Sequence, residues 1–345
     1  MKKRLFREGG PLNVKDLGND QYHMSVTLPQ DQDGRIAREC PNGECSPAYY
    51  KVKSGTGITD GQEVAYCPYC RHSAEPSDFT TQEQIRYAKD MAIREARGGI
   101  DDMVKDALGL DSRGKRKVGG GLISIEMSYK RSSPKPVRRP FEDEVRRDVI
   151  CPNCTLDQTV FGLASWCSDC GNDIFLVHVE AEIVVILSML NDVGRREQEL
   201  GKRVAAKDLE NCLEDAVSLF EASAKAIVRR GLSKRGHDAE AVEAEIKKVG
   251  NSFQNVERSQ TQIKRLFGCS ADDTDLWARL AESFEKRHPV THNLGVIDKK
   301  YLQRAQQAER EGREVRISER EVRALLKDIL EVISAIHQEV IGKEG

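Results

Sequence analysis

Eight of the ten cysteines fall into two sets whose spacing constrains the fold before any other feature does. Cys40-Pro-Asn-Gly-Glu-Cys45 is followed after 21 residues by Cys67-Pro-Tyr-Cys70, and Cys151-Pro-Asn-Cys154 after 12 residues by Cys167-Ser-Asp-Cys170-Gly171. Two residues between cysteines let both thiolates of a tight turn face one ion, and a second such turn completes a tetrahedral four-sulfur cage. The expected cofactor is Zn2+ at two structural sites, because a closed cage leaves no coordination position for a substrate. The rival for four sulfurs is iron in electron transfer, and nothing near either set suggests a redox partner site. Two such sets in a chain without an export signal argue against disulfides.

Both segments, 36–75 and 148–174, resemble zinc ribbons. In the first, Tyr49, Tyr50, Lys51, Lys53, Tyr66, Tyr69, Arg71 and His72 interleave aromatic and basic groups. That mixture suits either a base-stacking surface or the module's own small core. His72 is not counted as a ligand, since four sulfurs already complete the set. Of the two remaining cysteines, Cys212 falls in an apolar helical stripe and reads as core.

With 39% of residues hydrophobic, 32% charged and a net charge of −2, the chain reads as a helix-rich soluble protein of two or three domains. Met1-Lys-Lys-Arg4 is basic like a signal sequence, but no apolar run follows it. The most apolar stretch, Ile174 to Leu190, contains His178, Glu180 and Glu182, so a buried helix is expected rather than a membrane span. A cytoplasmic location with no membrane association follows. Charge is uneven: between Arg113 and Arg139 there are nine basic residues and one acidic, Glu126. Lys115, Arg116, Lys117, Arg138 and Arg139 could follow a phosphate backbone, or simply line a solvated linker and strand edge.

In order, residues 1–35 read as an irregular lead-in and 36–75 as the first ribbon. Residues 76–147 hold a helical segment over 81–110 broken near Gly98-Gly99, a basic linker, and a strand Leu122-Ile-Ser-Ile-Glu-Met-Ser-Tyr129 entered through three glycines. The second ribbon spans 148–174, and 175–345 is helical. Leu209, Cys212/Leu213, Ala216/Val217, Phe220, Ala224 and Ile227/Val228 keep helical spacing over five turns. A last helix should begin at Ser318, where Ser318 and Glu321 form a capping box and Ile317 and Val322 a hydrophobic staple. The predicted fold is mainly α: a C-terminal up-and-down bundle, two N-terminal four-cysteine ribbons and a small β element.

One stretch of the bundle bears chemistry. Leu276, Leu280 and Phe284 step by four along a helix, and Phe284-Glu-Lys-Arg-His-Pro-Val-Thr-His-Asn follows. Arg287 continues the apolar face, Pro289 is expected to break the helix, and the Asn293-Leu-Gly295 turn to return the chain. Arg-to-His spacing of this kind also occurs at Arg230/His237, so it means little without context. Only the first pair ends an amphipathic helix and has a polar residue, His288, after the arginine. The alternative is a helix end in which Arg287 pairs with Glu282 or Glu285 and the histidine is bonded in the turn.

An all-α bundle with Arg287-His288 and His292-Asn293 at the end of a main helix resembles the HEPN superfamily. That resemblance implies a metal-independent endoribonuclease acting as a homodimer with a composite site, of the kind found in toxin–antitoxin and antiviral-defence systems. It implies that Arg287 and His292 are catalytic, with His288 in support and Asn293 close to the RNA. Position 294, a tyrosine in part of the family, is leucine here, so modification at that point is not expected. The chemistry agrees: RNA supplies its own 2′-OH nucleophile, an imidazole moves the proton, and a guanidinium holds the phosphoryl oxygens. Products would be a 2′,3′-cyclic phosphate and a 5′-OH, with one histidine as base and its twofold mate as acid. The partners implied are RNA, a second copy of the chain, and an antitoxin or other defence protein. Two other readings stay open: a non-catalytic RNA or nucleotide binder of the same fold, and a zinc-ribbon adaptor that dimerises through its bundle.

Overall fold

The computed structural model describes residues 5–6, 8–19, 21–119, 124–130, 133, 136–269, 274–304 and 310–342. In chain order the strands and helices are β1 (Lys15–Gly18), β2 (Gln21–His23), β3 (Arg35–Glu39), β4 (Tyr49–Lys53), β5 (Ala65–Tyr66), β6 (Ser73–Ala74) and α1 (Gln82–Ala107). Next come β7 (Lys115–Val118), β8 (Ile125–Ser128), β9 (Arg147–Ile150), β10 (Asp157–Val160), α2 (Phe175–Leu200) and α3 (Lys202–Lys234). The chain closes with α4 (Ala239–Val249), α5 (Val256–Phe267), α6 (Thr274–Glu285), α7 (Arg287–Asn293), α8 (Lys299–Leu302) and α9 (Glu319–Val340). The protein is mainly α with small sheets, as its sequence pattern predicts. No helix among the described residues is long and apolar enough to cross a membrane.

The chain divides into two compact units that interleave along the sequence. One unit comprises Met1–Glu39, Lys51–Ser54 and Pro76–Glu144. Its lead-in is not irregular: β1 pairs antiparallel with β2, Lys15 opposite His23. Helix α1 opens on a capping box between Thr81 and Gln84 and runs unbroken through Gly98-Gly99, against expectation. Glycine at 99 permits close approach, since a Cβ at that position would overlap the carbonyl oxygen of Leu5. The basic run is not a linker at its start. Lys115–Val118 forms β7, paired with β8 so that Lys115 lies opposite Ser128 and Lys117 opposite Glu126. Leu122 and two of the three entry glycines of the expected strand lie outside the described residues, as do Met1-Lys-Lys-Arg4 and Lys135.

The second unit comprises Cys40–Tyr50, Gly55–Glu75 and Val145–Gly345, so both cysteine sets share it with the bundle. Its core is built by α2, α3, α6 and α9, with the buried faces of α4 and α5 packed into it. The predicted stripe of α3 is inside: Cys212, Leu213, Ala216, Val217, Phe220, Ala224, Ile227 and Val228 are all buried. On α9 the capping box forms as its sequence specifies, the Ser318 side chain accepting from the Glu321 amide while Glu321 accepts from Ser318. Leu276, Leu280 and Phe284 of α6 are buried, and Phe284 meets Phe220 edge-to-face at 5.3 Å.

Candidate active site and metal centres

The cysteine turns are shaped by backbone that the sequence permits. In three of them the residue following the second cysteine takes a left-handed conformation, Arg71 (φ 62), Thr155 (φ 64) and Gly171 (φ 67). Its amide then turns back to the first cysteine's carbonyl, as in Arg71 to Cys67, Thr155 to Cys151 and Gly171 to Cys167. The sulfurs of Cys40, Cys45, Cys67 and Cys70 lie within 4.8 Å of one another, and so do those of Cys151, Cys154, Cys167 and Cys170. Sγ–Sγ separations are 3.7 Å for Cys40–Cys70, 3.6 Å for Cys45–Cys67, 3.7 Å for Cys151–Cys170 and 3.3 Å for Cys154–Cys167. A tetrahedral ion with metal–sulfur bonds near 2.3 Å needs about 3.8 Å along each edge, so both donor sets fit. Hydrogen bonds from neighbouring thiols and then burial push the Cys67 thiol up, and burial pushes Cys167 up. A bound cation would reverse that, favouring the thiolate form at each sulfur, and both sets are placed to hold one.

The two cages interlock, which their spacing alone did not disclose. Tyr66 N donates to Ser168 O at 2.8 Å, and Ser165 N and Trp166 N both donate to Pro68 O. A Cβ on Gly171 would sit 2.9 Å from the Tyr66 ring, so glycine meets two requirements there, positive φ and close packing. Trp166 lies under two guanidinium groups, with Arg71 Cζ at 4.2 Å and Arg230 Cζ at 4.4 Å from its ring. Arg230 projects from α3, bonds Asp173 Oδ2, and comes within 3.2 Å of His337 Nε2 on α9. His337 in turn stacks on Phe175 at 5.2 Å. Burial alone would raise the Asp173 carboxyl, but its bonds to His337 and Arg230 outweigh that and hold it well below the usual carboxylate range. Arg230 is thus matched with His337 and Asp173, not with His237. Of the tyrosines, Tyr69 is internal, its hydroxyl donating to Tyr49 O at 2.8 Å and accepting from Phe161 N at 2.9 Å.

The Arg287 segment differs from expectation in its backbone. Pro289 does not end a helix; the break falls at Lys286, and Pro289 occupies the first turn of α7. Proline is tolerated there because first-turn amides have no intrahelical acceptor. Helix α7 then stops at Leu294 (φ 51), and Gly295 donates to Pro289 O at 2.8 Å. Val290 anchors α7 in a small second core with Ile297, Tyr301 and Val315. Thr291 ties it to α3 by donating to Glu214 Oε1 at 3.1 Å.

On this helix His288 and His292 are four apart and share a face, their ring centroids separated by 5.1 Å. His292 is exposed and His288 half-buried. Burial first, then Lys300, His292 and Arg304, lower the His288 pKa, with Asp298 opposing them. Arg287 is half-buried, and its buried Nε has no hydrogen-bond partner among the described residues. It does not pair with Glu285, which faces Arg304 at 3.7 Å. His292 is five positions beyond Arg287, about 140° around the helix axis, so the imidazoles are brought together and the guanidinium stands to one side. Asn293 is partly used locally, its Nδ2 donating to Val296 O at 2.7 Å. Lys286, which sequence reasoning passed over, is buried and pairs with Glu321, joining the end of α6 to the start of α9.

The basic candidates belong to the other unit. Lys115 faces Glu126 at 3.6 Å, Arg116 donates to Leu108 O at 2.9 Å, and Lys117, Arg138 and Arg139 are exposed. Comparison of the chain with protein-family models, with curated proteins and with solved structures finds no match.

Proposed function

We propose that the protein is a metal-independent endoribonuclease whose site is the α7 face bearing His288 and His292, with Arg287 on the same helix. The observation behind this reading is the pair of imidazoles at 5.1 Å on a short helix exposed at its C-terminal end, beside a guanidinium that makes no ion pair with Glu285. Imidazoles titrate near neutral pH and can remove the 2′-OH proton and protonate the leaving 5′-oxygen. A guanidinium stabilises the phosphoryl oxygens as charge builds on them. DNA, lacking the hydroxyl, would resist. The bundle acts as a homodimer, and zinc fills both cysteine cages in a structural role, in keeping with four thiolate donors and no open position. The interlocked ribbons and the basic β7–β8 hairpin select the RNA or the defence partner that triggers cleavage.

The test is cleavage of RNA by purified zinc-loaded protein during a short exposure to EDTA, with the ends mapped by sequencing. Expected are 2′,3′-cyclic phosphate and 5′-OH ends, lost by roughly 100- to 10,000-fold in His292→Ala. No RNA cleavage by the wild type, or equal cleavage by His292→Ala, removes the reading. Salt-dependent RNA binding without cleavage would instead favour a non-catalytic RNA binder.

A further inference from the structure

We infer that Asp298 is the positioning residue of the site, holding His288 as the group that takes the 2′-OH proton while His292 protonates the leaving oxygen. The inference rests on the ribonuclease reading and deepens it.

Three observations converge. The Asp298 carboxylate is fixed at the start of α8, where Oδ1 accepts from Tyr301 N at 2.7 Å. Tyr301 is 1% exposed and sits in the same small core as Val290, which lies on α7 between the two histidines. The platform under Asp298 and the helix bearing His288 are therefore parts of one packed body. From it, Asp298 Oδ2 faces His288 Nε2 at 3.9 Å, too far for a hydrogen bond to the neutral ring but near enough to attract and stabilise the imidazolium formed when it accepts a proton. The groups facing His288 are His292 from α7, Asp298 from the loop before α8, Lys300 from α8 and Arg304 beyond it. The cations favour the neutral ring that a base needs before reaction, and the carboxylate favours the charged ring it becomes.

The step balances. The bond from 2′-oxygen to phosphorus forms as that from phosphorus to 5′-oxygen breaks. The 2′-OH proton passes to His288, and a proton from His292 passes to the 5′-oxygen. The two rings then restore their protonation through solvent.

The test uses Asp298→Asn in the full chain. Asparagine still offers an oxygen to the Tyr301 amide, so α8 keeps its cap. Imidazole titration by NMR, with His288→Gln assigning the resonance, should show the His288 pKa falling when the carboxylate is removed. The acid limb of the kcat/KM pH profile should move down with it, and kcat should fall by roughly 10- to 100-fold. Asp298→Glu should restore part of the loss. Cleavage that disappears in His292→Ala but is unchanged in His288→Gln, or an Asp298→Asn protein with an unshifted His288 and profile, overturns this inference and leaves the ribonuclease reading standing. A wild type that cuts no RNA overturns both.

Discussion

The Nε of Arg287 is kept from water with no hydrogen-bond partner among the described residues, an arrangement that costs about 1–3 kcal/mol. Its neighbour Lys286 is also buried but satisfied, bonded to Glu321 and to the carbonyl of Arg316. Lys286 joins α6 to α9 through these bonds, whereas Arg287 has the chemical duty only on the ribonuclease reading proposed above. Lysine at 287 would keep the charge but not the planar fork. Arg287→Lys should therefore retain its melting temperature within a few degrees while cleavage falls by roughly 100- to 1,000-fold. Equal loss of stability and activity in a thermal melt and an end-labelled RNA assay would instead assign Arg287 to the fold.

Among the elements, the most legible were those dictated by neighbours in sequence. The cysteine turns and the Ser318–Glu321 capping box formed where their spacing placed them, because each is closed by residues two to five apart. The breaks were misread for the converse reason. Gly98-Gly99 looked like an interruption from conformational entropy alone, yet the packing of Leu5 against Gly99 explains it. Pro289 looked like a stop because its place in the first turn of a new helix depends on where the preceding one ends. Strands β1, β2 and β7 are short and polar, so alternation gave no signal. Ser318→Ala should cost about 1 kcal/mol in urea unfolding. Glu321→Ala should cost more, since it removes the reciprocal half of the capping box and takes the counter-ion from Lys286, whose side chain is 9% exposed.

In the unit that holds the bundle, the contacts that unite the cages with α3 and α9 were invisible in sequence, because they join residues up to 164 positions apart, as in Asp173 to His337. Arg230 was noticed only for a chance spacing to His237, whereas its partners are Trp166, Asp173 and His337. The cages therefore brace the helices. Stripping metal with a strong chelator should release two equivalents of zinc and lower the melting temperature of the helical circular dichroism signal, not merely unravel the ribbons. Arg230→Ala with metal bound should reproduce part of that loss, by about 2 kcal/mol or more. A chelated protein that melts at its original temperature would separate the cages from the bundle.

The chain has only two tryptophans, Trp166 between its paired guanidinium groups and Trp277 inside the α-helical core. Each indole is an optical beacon for a different compartment. Excited at the red edge of absorption, a Trp166→Phe protein would glow solely from the helices and a Trp277→Phe protein solely from the sulfur-cage junction, so one cuvette could time which compartment loosens first.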